Sequence, residues 1–391
     1  MILDRDAEYV LGLHRDRSVH PLRVTPGPFE VSPRVMLAGL QALCGHREPE
    51  FVEVMRASQK MLLQAFEIEE ADYFATVLTS TGSGAMEAMV AAIASSRVPL
   101  VVSNGRFGQR LADMARIYRA DTHVIEFSPG TPVNVEMVAR ELDRTSGVGA
   151  LVFCRQDTRE GVLNPLGELA DLARARGLLL AVDAISSEIC EVLTPDLHDI
   201  AVFTASSGKA IRGLPGLGIV IAQKAFLERL EETCIRSYYL NLAADYRIQH
   251  DRGEPRFAPA VALHFCLHEA LKELLEEGVS TRRETIQRRT VRVRDRLTAL
   301  GLRLPVAEGS RSNSVTSAQL PPGLTLKAFQ SALRKKGFLV YSGSSVAEDC
   351  FQIGTGGVLT DDILDEALEA VATVLSEHRQ TQQRLVTGGA P

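Results

Sequence analysis

A few positions in this chain carry side chains that could share one piece of chemistry. The run LLLAVD ends in Asp183, a carboxylate placed directly after apolar residues. VFTASSGK delivers Lys209 among small residues, just before a Gly/Pro-rich turn. ATVLTSTGSG ends in a Thr/Ser/Gly cluster, 79–84, that opens a helical pattern. LVFCRQDT brings Asp157 and Thr158, and LVVSNGRFG brings Asn104, Gly105 and Phe107. A helix start preceded by small hydroxyl and glycine residues offers free N–H groups and the positive end of a dipole, which suits a phosphate. A buried carboxylate can hold a pyridine nitrogen protonated. A lysine in such a setting can form a Schiff base. Phosphate, pyridinium and imine are the handles of pyridoxal 5′-phosphate (PLP).

Each piece also has an ordinary reading. STGSGAMEA can be a capped helix start, and it matches neither GxGxxG nor GxxxxGK[ST]. Asp183 can cap a helix beginning at Ser186. Lys209 can be a solvated loop charge, Phe107 a core residue and Thr158 a turn residue. Their order along the chain favours the shared site: phosphate loop, aromatic, hydroxyl, aspartate, lysine.

Elements that could position such a site are legible. Short β-rich apolar runs occur at 73–79, 98–103, 122–127, 149–154, 177–183, 199–205 and 216–222. Amphipathic helical stretches lie between several of them, at 83–94, 134–143 and 166–177. Strand–helix alternation of this kind predicts an α/β domain with a mostly parallel sheet. Ligands of such sheets sit beyond the carboxyl ends of the strands, where the polar residues above fall. The pattern changes near residue 255. Long helical stretches at 259–278 and 280–301 precede strand-like pieces at 314–320, 337–343 and 350–354. The expected organisation is an N-terminal arm (1–25), a large α/β domain (26–255), a smaller α+β domain (256–380) and a flexible tail (381–391).

Charge and composition narrow the partners. Basic residues number 43 against 49 acidic, a net charge of −6, which argues against a nucleic-acid or membrane-surface protein. The six cysteines are scattered with no CxxC pair, as expected of reduced thiols and no metal centre. The N-terminus is charged early, and no apolar run approaches the ~18 residues of a membrane span, so a cytoplasmic, soluble protein is expected.

Taken together, the motifs TPGP (25–28), GHREPEF (45–51), STGSGAMEA (80–88), SNGRFGQR (103–110), GVLNPLGEL (161–169), VDAISS (182–187), SSGKAIRGLPG (206–216) and DCFQIG (349–354) resemble the class V, fold-type I PLP-dependent aminotransferases. The similar branch is that of the alanine–glyoxylate, serine–pyruvate and 2-aminoethylphosphonate–pyruvate enzymes. The resemblance covers about 350 residues, from VTPGPFEVSP to the end of the small domain. It implies a fold-type I architecture and a homodimer with shared active sites, acting on small-molecule amino and keto substrates. It also implies roles for individual residues. Lys209 would carry PLP as a Schiff base and shuttle a proton. Asp183 would pair with the pyridine nitrogen. Thr81, Gly82 and Ser83 would cradle the phosphate, Phe107 would stack on the ring, and Thr158 would bond near its O3′. Pro26 and Gly27 would line the substrate pocket.

The chain departs from the pattern in places. Gln352 stands where relatives place the arginine that grips a substrate carboxylate, and an amide cannot make that bidentate clamp. Ala258 replaces a hydroxyl that reaches the neighbouring subunit's phosphate, and Gly208 replaces an amide. Arg212 and Arg106 are the expected replacement cations, with Arg212 and Gln352 assigned to substrate binding. The expected reaction is transamination between a small amino donor and a 2-oxo acid of the pyruvate or glyoxylate type. The alternative is elimination, replacement or carbon–carbon bond formation on a larger amino-acid substrate.

Overall fold

The computed structural model describes residue 17 and residues 20–193 and 199–386. Its central sheet has seven strands: β1 (Tyr73–Thr79), β2 (Val98–Ser103), β3 (His123–Glu126), β4 (Val148–Cys154), β5 (Leu179–Asp183), β6 (Ile200–Ser206) and β7 (Leu217–Gln223). They lie in the order β1-β7-β6-β5-β4-β2-β3. β7 runs antiparallel to both neighbours, and every other adjacent pair is parallel.

The strands are apolar without strict alternation because both faces of the sheet are covered. Val77, Val102, Phe153, Val182 and Phe203 belong to one core cluster. Their chain neighbours Leu78, Val101, Val152 and Val202 belong to the other. Successive side chains point to opposite faces, so one run feeds two cores. The second core contains α1 (Gly82–Ser96) and α2 (Arg106–Tyr118). Every residue of α1 from Ala88 to Ala94 is buried, as suits a helix apolar all round. The first core is closed by Pro49–Ala65 and by α3 (Val261–Glu277).

The smaller sheet holds β8 (Val315–Gln319), β9 (Tyr341–Ser342) and β10 (Cys350–Gly354), antiparallel, in the order β8-β10-β9. Its core takes in Val293 and Leu297 from α4 (Val279–Ala299) and Leu364, Leu368 and Val371 from α5 (Asp361–Val386). The single strand expected over 337–343 is divided. Phe338–Leu339 pairs in parallel with Leu22–Arg23, and the chain then crosses to β10 through Tyr341–Ser342.

The last residues of the expected arm are therefore strapped to the small sheet. Leu22–Arg23 pairs with Phe338–Leu339 in a separate two-stranded sheet, Gly354 N–H of β10 donates to Val24 O, and the following residues enter the large domain. Most of the arm, 1–25, lies outside the described residues. At the other end α5 stays helical to Val386, into the segment 381–391 expected to be a flexible tail. That segment lacks a helix breaker before Gly388, so nothing stops the helix earlier.

Candidate active site

The carboxyl ends of β1, β2, β5 and β6 lead into a cavity of about 230 Å³. Thr81, Gly82, Ser83, Phe107, Asp183, Ser186, Lys209 and the Gly27–Pro28 pair line it. The sequence-derived cofactor residues are thus brought together, apart from Thr158, which stands one hydroxyl behind the wall. Its Oγ1 hydrogen-bonds Ser186 Oγ, and Ser186 faces the cavity.

Asp183 is the last residue of β5 and lies between Cys154 and Thr204 of the neighbouring strands. Thr204 Oγ1 donates to its Oδ1 at 2.9 Å and Ile185 N–H at 3.1 Å, while Cys154 Sγ–H donates to Oδ2 at 3.4 Å. Burial pushes its carboxyl up, and these donors together with the Lys209 charge pull it back. No helix starts at Ser186. The chain instead makes successive turns, so Asp183 is no helix cap.

Lys209 follows β6 on a short turn. Its Nζ donates to Pro26 O at 2.8 Å. Burial lowers its pKa, and the nearby Glu188 and Asp183 carboxyls raise it again. Gly27 has φ +125°, and a Cβ there would stand 2.7 Å from Nζ. Only glycine lets the backbone lie this close to the lysine.

The phosphate-type cradle is the start of α1. Thr81 is its N-cap but makes no capping hydrogen bond, so the first-turn N–H groups of Gly82 and Ser83 remain available. The sequence reading missed a cation here. Arg110 lines the cavity, donates from Nη1 to Ser83 Oγ at 2.8 Å, and lies 4.7 Å from the Phe107 ring centroid. A signal was present in SNGRFGQR, because residues spaced i, i+3 share one helix face. Asp157 was seen at a strand end without a role. It anchors the start of α2, its Oδ2 accepting Phe107 N–H at 2.7 Å. Burial raises its pKa to about 6 despite that bond.

The residues assigned to the substrate end are placed differently. Gln352 is buried on β10, and its Nε2 lies within hydrogen-bonding distance of Thr158 O (2.7 Å), Ser317 Oγ (3.0 Å) and Arg159 O (3.1 Å). Arg212 is also buried. Its Nε donates to Gly356 O at 2.8 Å and its Nη1 faces Glu277 at 3.3 Å. Neither residue lines the cavity. Both tie the large domain to the small one. Arg106 is exposed and lines a separate space of about 420 Å³ with Arg159, Gln109, Glu126 and Glu160. Gly208 has a packing reason, since a Cβ there would meet Pro215 at 3.0 Å. Ala258 sits beside Tyr239, Arg256 and Phe257, away from the lysine cavity.

Comparison with known proteins gives the family to which this chain is similar. The family model described as Aminotransferase class-V matches residues 74–356. A 2-aminoethylphosphonate–pyruvate transaminase of Bacteroides fragilis is 30% identical over 90% of this chain and 98% of its own length. One from Aeromonas hydrophila is 31% identical, over 88% and 92% respectively. Among solved structures, an alanine–glyoxylate aminotransferase from Nostoc sp. superposes with a TM-score of 0.84, at 25% identity, over 91% of this chain and 95% of that one.

Proposed function

The chain belongs to the class-V aminotransferase family, and on that premise we propose that it binds PLP in the Lys209 cavity and moves an amino group from a small donor to a 2-oxo acid of the pyruvate or glyoxylate kind. The observation that carries the reading is the meeting of Lys209 Nζ, the buried Asp183 carboxyl and the uncapped start of α1 on one cavity.

The residues present fit the cofactor. The unpaired N–H groups of Gly82 and Ser83, with the Arg110 guanidinium beside them, suit a phosphate dianion. The Asp183 carboxyl suits a protonated ring nitrogen, since its second oxygen has only a weak thiol donor. Phe107 and Ile185 offer apolar surface for the ring, and the Thr158–Ser186 hydroxyl pair suits a phenolic oxygen. When bound, PLP supplies an electron-accepting ring that stabilises charge left on a substrate carbon.

The chain's own residues then do the rest. Asp183 holds positive charge at the far end of the cavity, where low polarity strengthens its hold. Lys209, whose charged form burial disfavours, would be the residue that links to the cofactor with loss of water, and once a substrate amine displaced it, its Nζ would carry the proton taken from the substrate carbon. The Pro26 carbonyl and Gly27 hold Nζ in place when no substrate occupies it.

We also propose that the working form is a cytoplasmic homodimer. The exposed Leu43 and Tyr238, 93% and 84% accessible, give a second copy apolar surface to cover. The six cysteines form no disulfide, which accords with a reducing compartment. No described helix is long and apolar enough to cross a membrane.

The test is a visible-absorbance titration of the PLP-loaded protein with alanine, serine, 2-aminoethylphosphonate and larger amino acids, without any keto acid. Stoichiometric conversion to pyridoxamine phosphate with release of one carbonyl product is the expected result for the true donor. Loss of a side-chain leaving group without pyridoxamine phosphate would overturn transamination in favour of elimination or replacement.

A further inference from the structure

A second space of about 420 Å³ lies beside the lysine cavity, and the proposed chemistry does not use it. Two guanidiniums line it, from Arg106 at the first residue of α2 and from Arg159 just after Thr158. Glu126, at the end of β3, and Glu160 line it as well. Neither arginine pairs with an acid among the described residues. Arg159 Nη1 donates to Ser342 Oγ at 2.9 Å, and the Arg106 guanidinium makes no hydrogen bond among the described residues.

One carboxylate brings the two arginines to the same wall. Asp157 Oδ2 accepts Phe107 N–H at 2.7 Å, and its Oδ1 accepts Arg159 N–H at 3.1 Å. Phe107 lines the lysine cavity, and Thr158 reaches it through Ser186. Their chain neighbours Arg106 and Arg159 line the second space. The two spaces therefore share a wall of one backbone layer on each segment.

The small domain supplies the rim. Glu160 Oε2 accepts Ser344 Oγ–H at 2.6 Å and Ser345 N–H at 2.9 Å, and its Oε1 accepts Ser345 Oγ–H at 2.7 Å. Both oxygens of this buried acid are thus spent on segment 344–345. Asp157 is likewise spent on backbone N–H groups, and Glu126 stands exposed at the mouth. The guanidiniums keep donors to spare. Gln352 contributes from behind, since its amide donates to the Thr158 and Arg159 carbonyls and fixes the segment that carries Arg159. β10 thus sends no cation to the boundary but holds the segment that does.

We propose that this space is a binding site for an acidic group, a carboxylate or a phosphate, held between the Arg106 and Arg159 guanidiniums. Guanidinium is donor-only and planar, which matches the oxygens of both groups. Two sources share that chemistry. One is the far end of an acidic substrate whose reacting end lies in the lysine cavity. The other is a separate small acid docked at the domain boundary. The site stands without the Lys209 reading, and only the choice between the sources rests on it.

The test is titration calorimetry on the full-length protein, loaded with PLP, using succinate and inorganic phosphate. Neither probe can give or take an amino group. Saturable binding of at least one is expected. Arg159→Gln should weaken it roughly tenfold or more, as for a lost charge-assisted contact. Arg106→Gln should weaken it less, because that side chain is exposed and screened. Glu126→Gln should tighten it by removing a like charge at the mouth. Arg110→Ala separates the two spaces, since an anion lodged at the start of α1 would depend on Arg110 and one lodged here would not. No saturable binding of either probe, or binding that both arginine variants leave unchanged, would overturn the proposal. Weaker binding in Glu126→Gln would also overturn it, by marking a positive group as the occupant. If Arg159→Gln fails to fold, Arg106→Glu reverses an exposed charge instead, and it should abolish the binding.

Turnover tells the sources apart. For a substrate's far end, Arg159→Gln should raise the KM for 2-oxoglutarate about tenfold, leave that for pyruvate within about twofold, and succinate should compete with 2-oxoglutarate. For a separate acid, succinate binds without competing. A protein that takes up no PLP, yet binds succinate through these arginines, would sink the Lys209 reading and keep this site. Full transamination without anion binding would do the reverse.

Discussion

The active-site cavity and the domain boundary near it are built on different principles. In the cavity, strand ends aim side chains inward and leave them something to do: Asp183, Lys209 and the start of α1 all keep unused capacity there. At the boundary, the polar groups of Gln352, from the small domain, and Arg212, from the large one, are turned onto backbone carbonyls of the opposite domain. The first region is preorganised for a ligand, and the second is preorganised for the protein itself. A buried polar side chain therefore reads as functional only after its hydrogen bonds have been accounted for.

That contrast can be broken most sharply at Asp183. Asp183→Asn keeps the shape and removes the charge, and turnover should fall roughly 100-fold or more, in the range of losing a preorganised electrostatic contact. If the Asp183→Asn variant instead turned over within a few-fold of the parent, this end of the cavity would be removed from the chemistry.

The next effect is on affinity. Arg110→Ala should weaken PLP binding about tenfold or more, measured by equilibrium dialysis, because a charge-assisted bond is worth ~1.5–3 kcal/mol. Unchanged retention of PLP would confine Arg110 to packing on Phe107.

Gln352→Ala tests the domain boundary. It leaves the carbonyls of Thr158 and Arg159 without their donor, and stability should drop by about 1–3 kcal/mol in a denaturant titration. The KM for the oxo acid should stay within about twofold. A large rise in KM with little loss of stability would return Gln352 to the substrate.

The smallest effect is expected far from the cavity. Asp361, at the start of α5, is held down to about 2 by the Arg288 and Arg289 guanidiniums. A depressed carboxyl contributes stability above its unfolded value and loses it as pH falls through the folded one. Asp361→Asn should flatten the acid limb between about pH 4 and 2 and lower neutral stability by the same small amount, since the pair is solvent-screened. A marked loss at neutral pH would show that this junction carries more of the small domain than its exposure suggests.

Much of this was legible in the sequence because parallel strands buried on both faces write themselves as apolar runs. All seven large-sheet strands and the residues at their ends follow from that pattern and from glycine, serine and threonine at the start of α1. The directions of Gln352 and Arg212 were not legible. Motif position told which segment they stand on, while their hydrogen bonds depend on carbonyls far away in sequence, Thr158 for one and Gly356 for the other. Arg110 was hidden for a different reason, being one basic residue among many on an amphipathic helix. The split at Val340 came from Leu22–Arg23, a strand too short to show periodicity.

The strap that leads from the small sheet to the lysine has a mechanical meaning. Leu22–Arg23 is hydrogen-bonded to Phe338–Leu339, Gly354 N–H holds Val24 O, and just beyond it the Pro26 carbonyl holds Nζ. No slack separates these points. Only Thr25 stands between the residue held by the Gly354 amide and the one that holds Nζ, so a tilt of the small sheet against the large one would be felt at the contact that restrains the lysine. The Gly354 amide is where that coupling can be watched, by the rate at which its hydrogen exchanges with solvent before and after a substrate is added.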